Sequence, residues 1–188
     1  MKRRIANSND ADALNRLVNS AYRGDSSKRG WTTEADLLGG QRVDVEGLSR
    51  LLEDPTKSIL VFENLETSQI HACVLLDFAL EATDGDQNAA YLGMLTVDPS
   101  MQGQGLGKKM MAFASEFIQR QGRNSIIISV IQLRHELIAW YRRHGFEATG
   151  EAKPFPYGDE RFGKPKRNDL HFLVFSKQLL NPMPDGKT

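Results

Sequence analysis

An apolar run ending at Val97 meets Asp98-Pro99, then Gln102-Gly103-Gln104-Gly105-Leu106-Gly107, then an amphipathic stretch reaching Gln121. No other segment constrains the fold as tightly. Asp98-Pro99 stops a strand. Leu106, Met110, Phe113, Ala114 and Phe117 fall on one side of a helix that Gly122 closes. A strand that hands three alternate glycines to a helix start puts unpaired N–H groups and the positive end of the helix dipole at one point. With no Cβ in the way, a ligand can approach that backbone closely. The guest such a point accepts is a phosphate or pyrophosphate.

Two familiar phosphate patterns do not fit. A Walker loop ends Gly-Lys-Ser/Thr; Gly107-Lys108 matches, but Lys109 stands where the magnesium hydroxyl belongs, and Gln102 where the first glycine belongs. A dinucleotide fingerprint starting at Gly103 requires glycine at the position of Lys108.

Around this segment the pattern reads as strands first, then strand-helix-strand-helix-strand-strand. Strands are expected at Arg3 to Ala6, Ser58 to Phe62, Ile70 to Ala82, Ala90 to Val97, Ser125 to Ile131, Phe146 to Ala152 and Leu170 to Phe175. Helices are expected from Asn9 or Asp10 through Ala21, over Glu34 to Leu38 and Val45 to Leu52, and over Glu136 to His144. Tyr22 to Thr33 and Lys153 to Asn168 read as loops. The order gives a mixed-sheet α/β domain.

Composition narrows the function. The 188 residues hold 24 basic and 24 acidic side chains, which argues against a nucleic-acid binder but not against a local basic pocket. The one cysteine, Cys73, lies in an apolar run and reads as a packed thiol, and a cysteine-rich metal site is excluded. No stretch approaches the ~20 apolar residues of a membrane span. No signal peptide follows the basic start, so the cytoplasm is the expected location.

Val97-Asp98-Pro99 followed by Gln102-x-x-Gly105-x-Gly107 resembles the central motif of the GNAT acetyltransferases, Q/R-x-x-G-x-G/A. Leu137 to Phe146, with Trp140-Tyr141 and a closing Gly145-Phe146, resembles their second motif, one helix and one strand downstream. The order of elements matches over residues 1 to 153, and the specific motifs over 90 to 146. The resemblance implies one domain over 1-180 with a loose tail at 181-188. It implies a mostly antiparallel twisted sheet of about seven strands flanked by helices, two of them splayed at the cofactor site. It also implies transfer of the acetyl group of acetyl-CoA, without a metal, to a primary amine of a small molecule or peptide by direct attack.

On this resemblance, the backbone of Leu95, Thr96 and Val97 faces the pantetheine arm, and the Leu95 N–H polarises the acetyl carbonyl. Gln102, Gly103, Gln104, Gly105, Leu106, Gly107 and Lys108 hold the pyrophosphate. Tyr141, on the apolar face with Leu137 and Ile138, protonates the departing thiolate. Two positions depart from the family pattern. Arg134 stands where many members carry a cofactor-contacting asparagine, and Tyr91 where some carry a glutamate base. Ser129 occupies the other family base position, which leaves Glu81, Asp77, Glu34 and His171 as bases.

The acceptor side is expected in the loops Arg23 to Val45 and Pro154 to Lys166. There Glu34 and Asp36 would attract a cationic amine, while Trp31, Tyr91, Phe155, Tyr157 and Phe162 would wall the pocket. Leu170 to Phe175 reads as an edge strand that could support a homodimer, with the oligomeric state left open. A non-catalytic acyl-CoA-binding module and a nucleotide-binding protein are the competing readings.

Overall fold

The computed structural model describes residues 1–159 and 163–179. The expected tail at 181–188, and Phe162, lie outside the described residues.

Seven strands form one sheet: β1 (Lys2–Ile5), β3 (Lys57–Glu63), β4 (Ile70–Asp77), β5 (Ala89–Val97), β6 (Ser125–Ile131), β9 (His171–Gln178) and β7 (Glu147–Pro154), in that spatial order. Every neighbouring pair is antiparallel except β5 with β6. A second, two-stranded ribbon joins β2 (Leu38–Gly39) to β8 (Lys164–Pro165).

The sheet is covered on both faces, and β3 shows why. Its successive side chains alternate sides. Ile59 and Val61 enter a core with α1 (Ala11–Tyr22) and α3 (Val45–Glu53), which contribute Leu14, Val18 and Leu48. Leu60 and Phe62 enter the opposite core with α4 (Leu106–Arg120), through Met110, Ala114 and Ile118. That second core extends to α5 (His135–Arg143), which adds Ile138 and Tyr141. A strand buried on both sides carries an unbroken apolar run, as Ile59 to Phe62 does. Cys73 is fully buried, and burial pushes its thiol up to about 12, in keeping with a packed core residue.

Five expectations are corrected. The expected loop at Tyr22 to Thr33 holds a short helix, α2 (Gly24–Ser27), and the one at Lys153 to Asn168 holds β8. The strand from Ile70 stops at Asp77, because its carboxylate caps the Ala79 N–H at 3.0 Å and Leu80–Thr83 turns into a short 3-10 helix. Glu34 to Leu38 is not a helix; it ends in β2. The last strand is no edge. β9 lies between β6 and β7, so its ladder positions are filled on both sides and it offers no edge for a dimer contact.

The sheet is split at its middle. β5 and β6 pair only from Ala89↔Ser125 to Tyr91↔Ile127. Beyond Tyr91 the two strands run apart. β5 also slips by one residue against β4 between Cys73 and Leu75, where Met94 adopts φ +52°. This bulge re-aims the residues after it.

Candidate active site

The glycine segment follows directly from β5. Gly103 and Gly105 have φ of +79° and +77°, a region that side chains other than glycine enter at a cost. Space is not the reason, because a Cβ at either position would meet nothing within 4 Å. Gly105 is the N-cap of α4, and no side chain caps that end. The first-turn N–H groups of Leu106, Gly107 and Lys108 are thus left to a ligand.

These groups open onto a cleft of about 610 Å³. Leu95, Val97, Gln102, Gly103 and Gly105 line it, followed by Leu106, Gly107 and Lys108. Thr96 and Gln104 do not. Thr96 is buried and its hydroxyl donates to the Met94 carbonyl at 2.9 Å, while Gln104 lines a separate groove beside Met1 and Arg3.

The facing wall is aromatic. Trp140 stacks on His144 at 4.0 Å and approaches Trp31 at 6.3 Å. The His144 ring is tied to the Trp140 carbonyl through Nδ1 at 2.8 Å. Arg143 joins Lys108 as a cation in the cleft. Sequence reading named Trp140 within the second motif, and placed Trp31 on the acceptor side. Their helical and loop positions alone carry no sign of which cavity they face.

Gln102 lines the cleft, yet its side chain is engaged within the protein. Its Oε1 accepts from the Trp31 N–H at 2.9 Å, and its Nε2 donates to Thr32 Oγ1 at 2.9 Å and to the Val97 carbonyl at 3.1 Å. The approach is close enough that a Cβ at Gly30 would fall 2.5 Å from Oε1. Gln102 thereby binds the loop at Trp31–Thr32 to the end of β5.

Tyr141 is not itself a lining residue; it packs against Trp140 and neighbours Tyr22, both of which are. Its ring meets Trp140 and Phe146 edge-on at 5.1 and 5.2 Å. Its hydroxyl makes no hydrogen bond among the described residues. Burial pushes the phenol far up, the neighbouring Tyr22 and Tyr91 add to this, and Arg134 opposes it. Tyr141 is therefore a protonated phenol at neutral pH.

Tyr22 was not singled out from the sequence. It donates to the Leu95 carbonyl at 2.6 Å, and burial holds its own phenol up at about 12. A signal existed: Tyr22 continues the buried stripe of Leu14, Val18 and Ala21, and a tyrosine there needs a partner for its hydroxyl.

On the acceptor side, Glu34 is corrected. Arg134 lies 3.0 Å from one carboxylate oxygen, Arg23 bonds the other at 2.5 Å, and all three side chains are largely buried. Burial pushes the Glu34 carboxyl up, but the Arg42, Arg134 and Arg23 guanidiniums outweigh it and hold the group below its usual range. A carboxylate so engaged does not attract an ammonium. Arg134 also donates to the Thr32 carbonyl at 2.8 Å, so it too fastens the Trp31–Thr32 loop.

Phe155 is a core residue, 4 % exposed and stacked on Phe172 at 5.6 Å, not a pocket wall. Tyr157 bonds the Leu170 N–H at 2.7 Å. Tyr91 is half-buried and lies over Gly93, where a Cβ would sit 3.1 Å from its ring. Of the expected bases, Asp77 is paired with Lys57 at 3.0 Å and Glu81 is exposed. Asp77, Glu81 and His171 all lie outside the residues lining the cleft.

A sheet opened at its centre beside a glycine-led helix is the feature to compare with known folds. An Acetyltransferase (GNAT) domain model matches residues 56–148. The ribosomal-protein-alanine N-acetyltransferase of Brucella melitensis superposes with a TM-score of 0.70 at 21% identity, covering 95% of this chain and 100% of that one. yncA of Salmonella typhimurium, a putative acetyltransferase solved with its cofactor acetyl-CoA, gives a TM-score of 0.68 at 20% identity over 100% and 99%. At such identities the likeness is one of fold. Mouse N-acetyltransferase family 8 member 3 is 35% identical over 57 residues, 30% of this chain and a quarter (25%) of that relative's length. Residues 56–148 thus carry a GNAT acetyltransferase domain, and the fold of the chain is that of these solved acetyltransferases.

Proposed function

We propose that the protein transfers the acetyl group of acetyl-CoA to the primary amine of a small molecule or peptide by direct attack in a ternary complex. The observation that carries this reading is the coincidence of two vacancies in the protein's own hydrogen bonding. β5 and β6 part beyond Tyr91, and the α4 N-terminus just past that gap has no side-chain cap. An extended arm fits the first as an added strand would, and a pyrophosphate fits the second. The Gly103–Lys108 backbone would bind the pyrophosphate, with Lys108 and Arg143 adding charge.

Acetyl-CoA supplies the acetyl thioester. The Leu95 N–H polarises its carbonyl. Tyr22 supports that assignment, because in a strand the N–H and C=O of one residue point to the same edge, and the Leu95 carbonyl is held by Tyr22. The amine nitrogen bonds to the carbonyl carbon as the carbon–sulfur bond breaks. Tyr141 delivers its hydroxyl proton to the departing thiolate and is re-protonated from the amine through water.

The test is CoA release with an amine panel, in the wild type and in Tyr141→Phe. The variant should lose about 100-fold in kcat while keeping its affinity for acetyl-CoA. An undiminished kcat across the pH range removes Tyr141 from this role. Acetyl-CoA binding without turnover of any amine would favour a non-catalytic module.

A further inference from the structure

Glu34 leaves the acceptor side with the opposite charge from the one its sequence suggests. Arg23 and Arg134 already engage its carboxylate. A third cation, Arg42, stands beside them, its guanidinium over the Tyr22 ring at 5.9 Å. Among the described residues Arg42 makes no ion pair and no side-chain hydrogen bond. It is nonetheless held in place. Its N–H donates to Asn19 Oδ1 at 2.7 Å, and the next carbonyl, of Val43, accepts from Asn15 and Asn19, each at 2.9 Å. Three bonds to α1 thus fix the backbone that carries a half-buried arginine, whose charge is felt by Glu34 but which bonds no carboxylate directly.

Tyr22 ties this cation to the reaction centre proposed above. The face of its ring carries Arg42, and its hydroxyl holds the Leu95 carbonyl, next to the amide assigned to the acetyl group. The guanidinium therefore touches the ring whose hydroxyl marks the proposed point of attack, with Tyr22 rather than Arg42 lining the cleft itself. A guanidinium fork matches a carboxylate with two parallel hydrogen bonds. A cationic acceptor would meet arginines here and find Glu34 occupied.

We propose that the acceptor is an amine that carries a carboxylate in the same small molecule, an amino-acid-type substrate, and that Arg42 binds this carboxylate. This rests on the acetyl-transfer reading, but its decisive measurement does not require turnover. Protein saturated with CoA is titrated calorimetrically with N-acetyl-L-methionine, N-acetyl-L-phenylalanine and N-acetyl-L-glutamate, and with the amides of each. At least one acid should bind about tenfold or more tightly than its amide. Arg42→Gln should erase that difference, and Arg42→Lys should restore part of it. Thermal melting and acetyl-CoA affinity check that both variants are folded.

If no acid binds, if none exceeds its amide, or if Arg42→Gln keeps the discrimination, the proposal is overturned. Free amino acids and their methyl esters, assayed for CoA release, separate the two readings. Arg42-dependent binding of acids without CoA release would leave the carboxylate site standing and remove the transfer. CoA release with esters and acids alike would do the reverse.

Discussion

Glu34 shows how far a residue's meaning depends on neighbours remote in the chain. As a sequence position it is a carboxylate near the start of a loop; in the fold it is the counter-charge of two buried arginines, one of them 100 residues away. Replacing it with glutamine leaves both guanidiniums buried without a charge partner, a loss of about 3–5 kcal/mol. The pH dependence has a definite sign. Folding lowers the carboxyl below its ordinary value of 4.5, so its contribution is present above that pH and is lost as pH falls through the folded value. Urea unfolding should therefore show a wide gap between wild type and Glu34→Gln at pH 7 that closes toward pH 3. Phe155 makes a second residue-scale case. Sited among Leu38, Ile131 and Leu170, it should cost about 3–5 kcal/mol when replaced by alanine. Its KM for an acceptor should stay within about twofold once the folded fraction is allowed for, since the ring is buried away from the cleft.

At the scale of elements, what sequence revealed was local. The strand, the glycines and α4 follow one another directly, and each has its own signal, so β5 and α4 were legible to within about a residue or two. The strand order was not. β9 inserts between β6 and β7, and nothing in Leu170 to Phe175 encodes which strands flank it. The same blindness hid what Gln102 bonds to, since its partners Trp31 and Thr32 lie some 70 residues upstream. The glycine entry itself can be tested. Gly105→Ala forces a Cβ into a left-handed backbone conformation at φ +77°, costing about 1–2 kcal/mol. Because the strain is relieved by rotating the amides of α4's first turn, CoA affinity should fall at least about tenfold, measured by calorimetry well below the melting temperature. An affinity as high as wild type would mean the anion sits elsewhere.

Over the whole molecule, two features join distant parts. The β2–β8 ribbon joins the two loops that the sequence marked out separately as a candidate acceptor side. Among the described residues no helix is long and apolar enough to cross a membrane. The other feature is the gap itself. Strands β1, β3, β4 and β5 form one block and β6, β9 and β7 another, and within the sheet they share only the short ladder from Ala89 to Tyr91. On the proposed reading, such an arrangement makes the cosubstrate a structural member. An arm bridging the gap supplies backbone partners that neither block can supply to the other, so each turnover would fasten and unfasten the seam. Amide hydrogen exchange should report it: protection along Leu92–Val97 and Ile128–Ile131 should rise on adding acetyl-CoA, while β3 and β4, paired on both sides, should change little. The protein, acting as proposed, would then be at its most rigid when loaded and at its loosest just after product leaves, with its breathing paced by its own substrate.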